Sequence, residues 1–336
     1  GRRRVAIVGS AEAGLTPEIM EGFTSMGALG TDINLCKLDS SKTPNWRKAS
    51  RPFGENCGFT IGEATQYIVL MDDALAIDLA ADVHGAVSDV FINADGIKRS
   101  ISAPGAGNYV SFSKAVASAI AIVGESTVRK HSFIHAHGSS TPANRVTESR
   151  IFDRVAEAFS IKDWPITAAK AFVGHSLAAA SGDQLAFALG TFKYDILPGI
   201  KTVDKIADDV AQKRLFFPLQ DMDLVNRKMD VAFVNSKGFG GNNATAVVLS
   251  PRKVENMLSA RYGSVMADYQ SRREETRQAA KNYAEKADKG NIPVVYRFGE
   301  ALVQEHDIDI SCDGIHMPGH KQDVIFDKLN PWADMD

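Results

Sequence analysis

Cysteine is scarce in these 336 residues: Cys36, Cys57 and Cys312 are too few and too scattered for a disulfide framework or a paired-thiol metal site. That usage suits a reducing compartment, so a cytoplasmic location is expected. No apolar run reaches the roughly 20 residues of a membrane-spanning helix. The opening GRRRVAIVGSAEAG has no hydrophobic region of a signal peptide, so no membrane partner is expected. Charge of one sign is not in excess either. Lys and Arg number 38 against 41 Asp and Glu, a net charge of −3, which gives no global attraction for nucleic acid. Internal repeats and low-complexity tracts are also missing. What remains is ordinary globular composition, 44% hydrophobic and 24% charged, able to bury one large core or two moderate ones.

Up to about residue 250 the pattern alternates. VAIVGS, YIVLM, DVFINADG, SFIHAHG, PITAAK, DVAFVNS and TAVVLS read as strands. PEIMEGFTSMGA, VSFSKAVASAIAIVG, RVTESRIFDRVAEAF and DQLAFALGTFKYD read as helices between them. This is an α/β protein with helices on both faces of its sheet. Val254, Met257, Leu258, Val265 and Met266 then recur at helical spacing, and SRREETRQAAKNYAEKADKG continues as a solvated helix to a glycine stop. After residue 291 the short runs PVVYRFGEAL, DIDIS and GIHMPG predict a small β element. The sequence opens on Gly1, without an initiator Met, and its first strand is composed for burial. A domain rarely opens in its own core, so this strand is expected to present apolar faces and unpaired edges.

Two stretches each place one histidine beside glycine at the end of an apolar run: FIHAHGSSTPAN and AFVGHSLAAASG. His137 stands where loops build sites in α/β folds, although a lone histidine there is often structural. His135 and His137 would share a face of a strand and could hold a metal, but no third ligand lies near them, so no metal is expected. His175 follows Lys170 by five residues. Gly174 leaves room for a ligand, and the alternative is a tightly packed helix with a satisfied histidine. NSKGFGGNNA is a glycine-rich turn after a strand, but another strand follows it, so it is a hairpin rather than a dinucleotide loop, and its glycines expose N–H groups and carry Phe239.

Together and in this order, HGSSTP, KAFVGHSLAAAS and NSKGFGGNN resemble the motifs of the elongating β-ketoacyl-acyl-carrier-protein synthases of the thiolase superfamily. VAIVGSAEAGLTPEIMEGFTSMGAL and KASRPFGENCGFTIGEA resemble segments that follow the nucleophile in such enzymes. The resemblance covers residues 1 to about 250. It implies a layered α-β-α-β-α thiolase fold, incomplete at its N-terminal side. Residues 1–85 would be the end of the first thiolase-like half, 86–250 the second half, and 251–336 a helical and β extension.

The resemblance also implies chemistry. His137 and His175 would be the catalytic histidines whose N–H groups hold an enolate oxygen, with Lys170 fixing the hydrogen bonds and electrostatics of the second. Ser139 and Thr141 would hold the phosphopantetheine arm. Phe239 would gate and its backbone N–H would form half of the oxyanion hole, with Gly240 in the same oxyanion and gating loop. No cofactor of the protein's own is implied; acyl carrier protein, malonyl and acyl thioesters would be the partners, and a homodimer the assembly. Departures from the pattern are Lys237 in place of Phe, Gln184 in place of Glu, Asn144-Arg145 in place of Gly-Asp, and ENCGF in place of R-D-G-F. The family's nucleophilic cysteine would lie before Gly1. Cys57 reads as a turn residue, Cys36 as part of a polar loop and Cys312 as part of the tail; none opens a helix that would depress its pKa. The alternative is a partner of thiolase fold without turnover, or a subunit that sets chain length.

Overall fold

The computed structural model describes residues 4–98, 105–293, 295, 298–300 and 302–335. β1 (Val5–Glu12) runs antiparallel to β2 (Ala64–Met71), paired from Val5 with Met71 to Glu12 with Ala64. Between them lie α1 (Pro17–Ser25) and α2 (Asp32–Leu38). α1 stops short of the predicted GA because Gly27 turns at φ +65°. α2 starts where the Thr31 side chain accepts the Asn34 N–H, and it contains Cys36. Cys36 is therefore helical and not in a polar loop: the cap and the buried Leu35 outweigh the polar surroundings. α3 (Asp73–Asp78) opens on the same device, Asp72 accepting from Leu75.

The order continues with β3 (Ala86–Ala94), α4 (Gly107–Val123), α5 (Glu125–Lys130), β4 (Ser132–His135), α6 (Pro142–Ala158) and β5 (Trp164–Thr167). Then come α7 (Lys170–Val173), α8 (Ala180–Tyr194), β6 (Ile196–Leu197), β7 (Leu215–Phe216), β8 (Met222–Asp223), β9 (Val231–Gly238) and β10 (Asn242–Leu249). Six of these strands make one mixed sheet in the order β3-β10-β9-β4-β5-β7, antiparallel up to β9 and parallel from there.

One face packs on α4 and α6 through Phe112, Phe152, Trp164 and Phe233, whose rings lie within 6 Å of Phe112. All four are buried, and each stabilises the fold by about 2–3 kcal/mol on burial. The other face packs on α8, where Ala188 lets the helix approach Phe133, Ala232 and Val234. β1 and β2 form a separate two-stranded sheet that stays largely exposed. Ile7 is 72% exposed and Tyr67 66%, so the strand composed for burial presents its apolar faces.

Beyond Pro251, α9 (Pro251–Tyr262) and the start of α10 (Met266–Asp288) add Val254, Leu258, Met266 and Tyr269 to the main core. The chain divides into two compact units, Gly1–Arg277 and Gln278–Asp336. The second holds the polar end of α10 and a three-stranded sheet of β11 (Asp309–Ile310), β12 (Gly314–His316) and β13 (Val324–Ile325). DIDIS and GIHMPG thus supply strands. PVVYRFGEAL includes Val294, Tyr296, Arg297 and Ala301, which lie outside the described residues. No described helix is long and apolar enough to cross a membrane.

Candidate active site

The two histidine loops leave neighbouring parallel strands, β4 and β5. After β4 the chain passes through Gly138 at φ +52°, where a Cβ would come within 2.7 Å of the Ala168 methyl. After β5 it passes through Gly174 at φ +69°, where a Cβ would come within 2.8 Å of the Thr60 carbonyl oxygen. Glycine is needed at both points, to clear the Ala168 methyl at one and the Thr60 backbone carbonyl at the other. The imidazoles of His137 and His175 are both buried, with ring centroids 5.2 Å apart and planes at 81°.

Backbone N–H groups fix the tautomers of both rings. Leu177 N–H donates to His175 Nδ1 at 3.1 Å, and Lys237 N–H donates to His137 Nδ1 at 3.4 Å. With Nδ1 accepting, each neutral ring carries its proton on Nε2. Burial, helped by the Lys170 charge, keeps both neutral: His175 is pushed down to about 2, and His137, which also faces His175 and Lys237, lies well below the ordinary imidazole range.

Lys170 is buried at the start of α7 and donates from Nζ to the His137 carbonyl at 2.7 Å, with Nδ1 of the same residue at 3.5 Å. The resemblance assigned its hydrogen bonds to His175; they go to His137, because α7 opens beside the β4 loop and Gly174 reverses the chain before His175. Only its charge acts on His175. Burial lowers the Lys170 pKa to about 8, while Glu148 and Asp183 act to raise it.

Glu148 was not singled out from the sequence. It is fully buried, and its carboxylate accepts from His137 N–H at 2.7 Å, Gly138 N–H at 2.9 Å, Asn144 Nδ2 at 2.9 Å and Asn235 Nδ2 at 2.9 Å. The signal available was an acid on the inward stripe of α6, in line with Phe152 and Val155. Gln184 explains its own departure from the family pattern. Its amide donates to the carbonyls of His135 at 3.1 Å, Ala136 at 2.8 Å and Asn235 at 2.9 Å, and its oxygen accepts from Ser236 at 2.7 Å. An ionised Glu there would face three carbonyl oxygens.

Ser139 Oγ and Thr141 Oγ1 lie 3.1 Å apart at the start of α6. Phe239 and Gly240 occupy the tip of the β9–β10 hairpin, with Gly240 at φ +86°. Phe239 is 56% exposed and lies 5.9 Å from the Phe23 ring. Behind the tip, His137, Ser236, Lys237 and Ala244 line a cavity of about 210 Å³. A larger one, about 540 Å³ and mainly apolar, lies between β1–β2 and the six-stranded sheet.

His135 takes no part in this site. β4 ends at His135, so strand alternation does not carry on to His137. Its ring faces Phe187 at 6.0 Å, and among the described residues neither ring nitrogen meets hydrogen-bond geometry, although the adjacent Ala136 backbone acts to raise its pKa. Among the described residues, no three His, Cys, Asp or Glu side chains come together to hold a metal. Among the described residues no hydrogen bond or ring contact joins Cys36, Cys57 or Cys312 to His137 or His175.

The chain is similar to known proteins in sequence and in fold. The family described as beta-ketoacyl synthase, C-terminal domain, matches residues 84–204. The beta-ketoacyl-acyl-carrier-protein synthase FabY of Pseudomonas aeruginosa is 57% identical over 336 residues, which are all of this chain and 53% of that protein. The 3-oxoacyl-acyl-carrier-protein synthase 2 of Synechocystis is 30% identical over 251 residues, 73% of this chain and 54% of that one. The chain thus spans about half the length of the curated relatives it matches. A crystal structure of the noncanonical ketosynthase FabY from P. aeruginosa superposes with a TM-score of 0.90 at 58% identity, covering 99% of this chain and 52% of that one. Over its whole length the chain is similar to β-ketoacyl synthases, and with the two histidine loops and the glycine hairpin of the motif in one site it has their thiolase fold.

Proposed function

We propose that this chain supplies the decarboxylating part of a β-ketoacyl-acyl-carrier-protein synthase, which condenses a malonyl thioester with an acyl group in fatty-acid or polyketide elongation. The observation that carries the proposal is the pair of buried, neutral imidazoles with both Nδ1 atoms occupied, which leaves two Nε2–H donors for one oxygen. When malonyl thioester loses CO2, the electron pair of the broken C–C bond passes through the α-carbon to the thioester oxygen. Preorganised neutral donors in a buried site stabilise that charge without having to reorient. The enolate carbon then attacks an enzyme-bound acyl thioester and expels the thiolate.

In this scheme Lys170 and Glu148 position His137, one through its carbonyl and the other through its N–H. Ser139 and Thr141 bind the phosphopantetheine arm, Phe239 gates, and Gly240 gives the hairpin its turn. No resident cofactor is needed, since the substrates arrive on acyl carrier protein. A cytoplasmic homodimer is the expected assembly, with the boundary between thiolase-like halves near residue 85 and the extension beginning at 251.

A second reading is a thiolase-fold partner without turnover, and Cys57 does not supply the nucleophile that would decide between the two. Cys57 has its thiol pKa raised by burial, the opposite of what a nucleophile needs. Incubating the complete gene product with malonyl-acyl carrier protein and an acyl thioester separates the two. The synthase makes 3-oxoacyl product and CO2 in equal amounts; the partner makes neither.

A further inference from the structure

Among the described residues neither cation of this site, Lys170 or Lys237, has an ion-pair partner; the Lys170 ammonium donates to the His137 carbonyl, whereas Lys237 lines the open cavity. Lys237 precedes Phe239 by two residues on β9, pairs across the hairpin with Asn243, and lines the 210 Å³ cavity with His137. Its backbone N–H sets the His137 tautomer. Two carboxylates influence it, Glu148 and Asp95, and both are occupied. Glu148 accepts from the four donors named above. Asp95 accepts from Gly107 N–H at 3.1 Å, Asn243 Nδ2 at 2.8 Å and Lys98 Nζ at 3.0 Å. Among the described residues Lys237 has no ion-pair partner, whereas neighbouring Lys98 does. Burial lowers its pKa, as expected for an ammonium with no dedicated counter-ion.

We propose that Lys237 holds the carboxylate of the malonyl group beside His137 before that carboxylate leaves as CO2, an assignment that rests on the condensing function above. An ammonium lining a small cavity next to an oxyanion donor suits an acyl group with a negative charge one carbon from its carbonyl. A neutral acyl group brings no such charge. The contact exists in the ground state and fades as the carboxylate becomes neutral CO2, while charge grows on the oxygen facing the histidines. Lys237 therefore selects and orients the extender and does not lower the barrier of its decarboxylation. Its exchange for the Phe of the family pattern would make this chain's discrimination between malonyl and neutral acyl groups more dependent on charge.

The test is direct binding to the complete gene product. The probes are the amide analogues of malonyl-pantetheine and acetyl-pantetheine, which neither decarboxylate nor transfer. In the wild type the malonyl amide binds more tightly. Lys237→Met weakens malonyl-amide binding about tenfold, the size expected for one charge-assisted hydrogen bond, and shifts acetyl-amide binding far less. Lys237→Arg restores most of the preference, which excludes simple misfolding. Equal affinity of the wild type for both amides, or a parallel loss of both in Lys237→Met without rescue by Arg, overturns the assignment. Calorimetry does not depend on turnover, so the assignment can fail while 3-oxoacyl product still forms, and the condensing function can fail while the malonyl preference persists.

Discussion

The Glu148 carboxylate accepts the backbone N–H of His137 at 2.7 Å and that of Gly138 at 2.9 Å, so an acid on α6 sets the path of the loop that carries the first histidine. Glu148→Gln turns an acceptor of four donors into a group that presents N–H to N–H. This should cost about 3 kcal/mol of stability, since at least one buried donor loses its partner. Chemical denaturation gives the value. A loss within 0.5 kcal/mol would mean that the loop holds its shape without Glu148.

Gly174→Ala should cost more than an ordinary loop substitution. The residue sits at φ +69°, and its Cβ would press on the Thr60 carbonyl, which itself accepts the His175 N–H at 2.7 Å. A penalty of about 2 kcal/mol or more is expected, with displacement of His175. Thermal unfolding together with imidazole chemical shifts reports both effects.

Three buried histidines, His135, His137 and His175, have folded-state pKa values below 6.5, chiefly through burial. Above pH 6.5 neither state binds the extra protons. Below it the unfolded chain takes protons that the native state refuses, so stability falls on acidification, by about 1.4 kcal/mol per pH unit per histidine. His135 is pushed down to about 3, chiefly by burial, and among the described residues no side chain pairs with its ring nitrogens. His135→Leu should therefore raise stability by about 1 kcal/mol at pH 7 and flatten the slope between pH 6 and 4. An unchanged slope would show that His135 is protonated in the native protein.

Phe239 lies half in solvent at a glycine hairpin tip, so Phe239→Ala should cost less than about 1 kcal/mol. If the hairpin gates the site, acyl transfer changes more than stability does. Paired measurements of Tm and of acyl-enzyme formation decide this. A large fall in Tm with normal acylation makes Phe239 a packing residue against Phe23.

Most of the strands and the three motif loops were legible because their signals are local: β-branched runs closed by glycine, and histidines beside glycines with positive φ. Cys36 was misplaced because a single capping bond, from Asn34 N–H to the Thr31 side chain, outweighs a polar composition. Glu148 and the Lys170–His137 bond were not legible. They depend on which loop a helix faces, and that is a tertiary relation with no sequence spacing of its own. That β1 is a strand was legible from its β-branched run, but composition alone would bury Val5 and Ile7, which are 51% and 72% exposed.

The central claim is that His137 and His175 together hold one developing oxyanion. Its most direct measurement is CO2 release from malonyl-acyl carrier protein by the complete gene product and by His137→Ala, His175→Ala and the double variant. Each single variant should lose about 10²-fold or more, and the double should lose less than the product of the two, because the donors act on the same oxygen. Release that survives in either single variant at the wild-type rate, with both proteins folded, would contradict the claim.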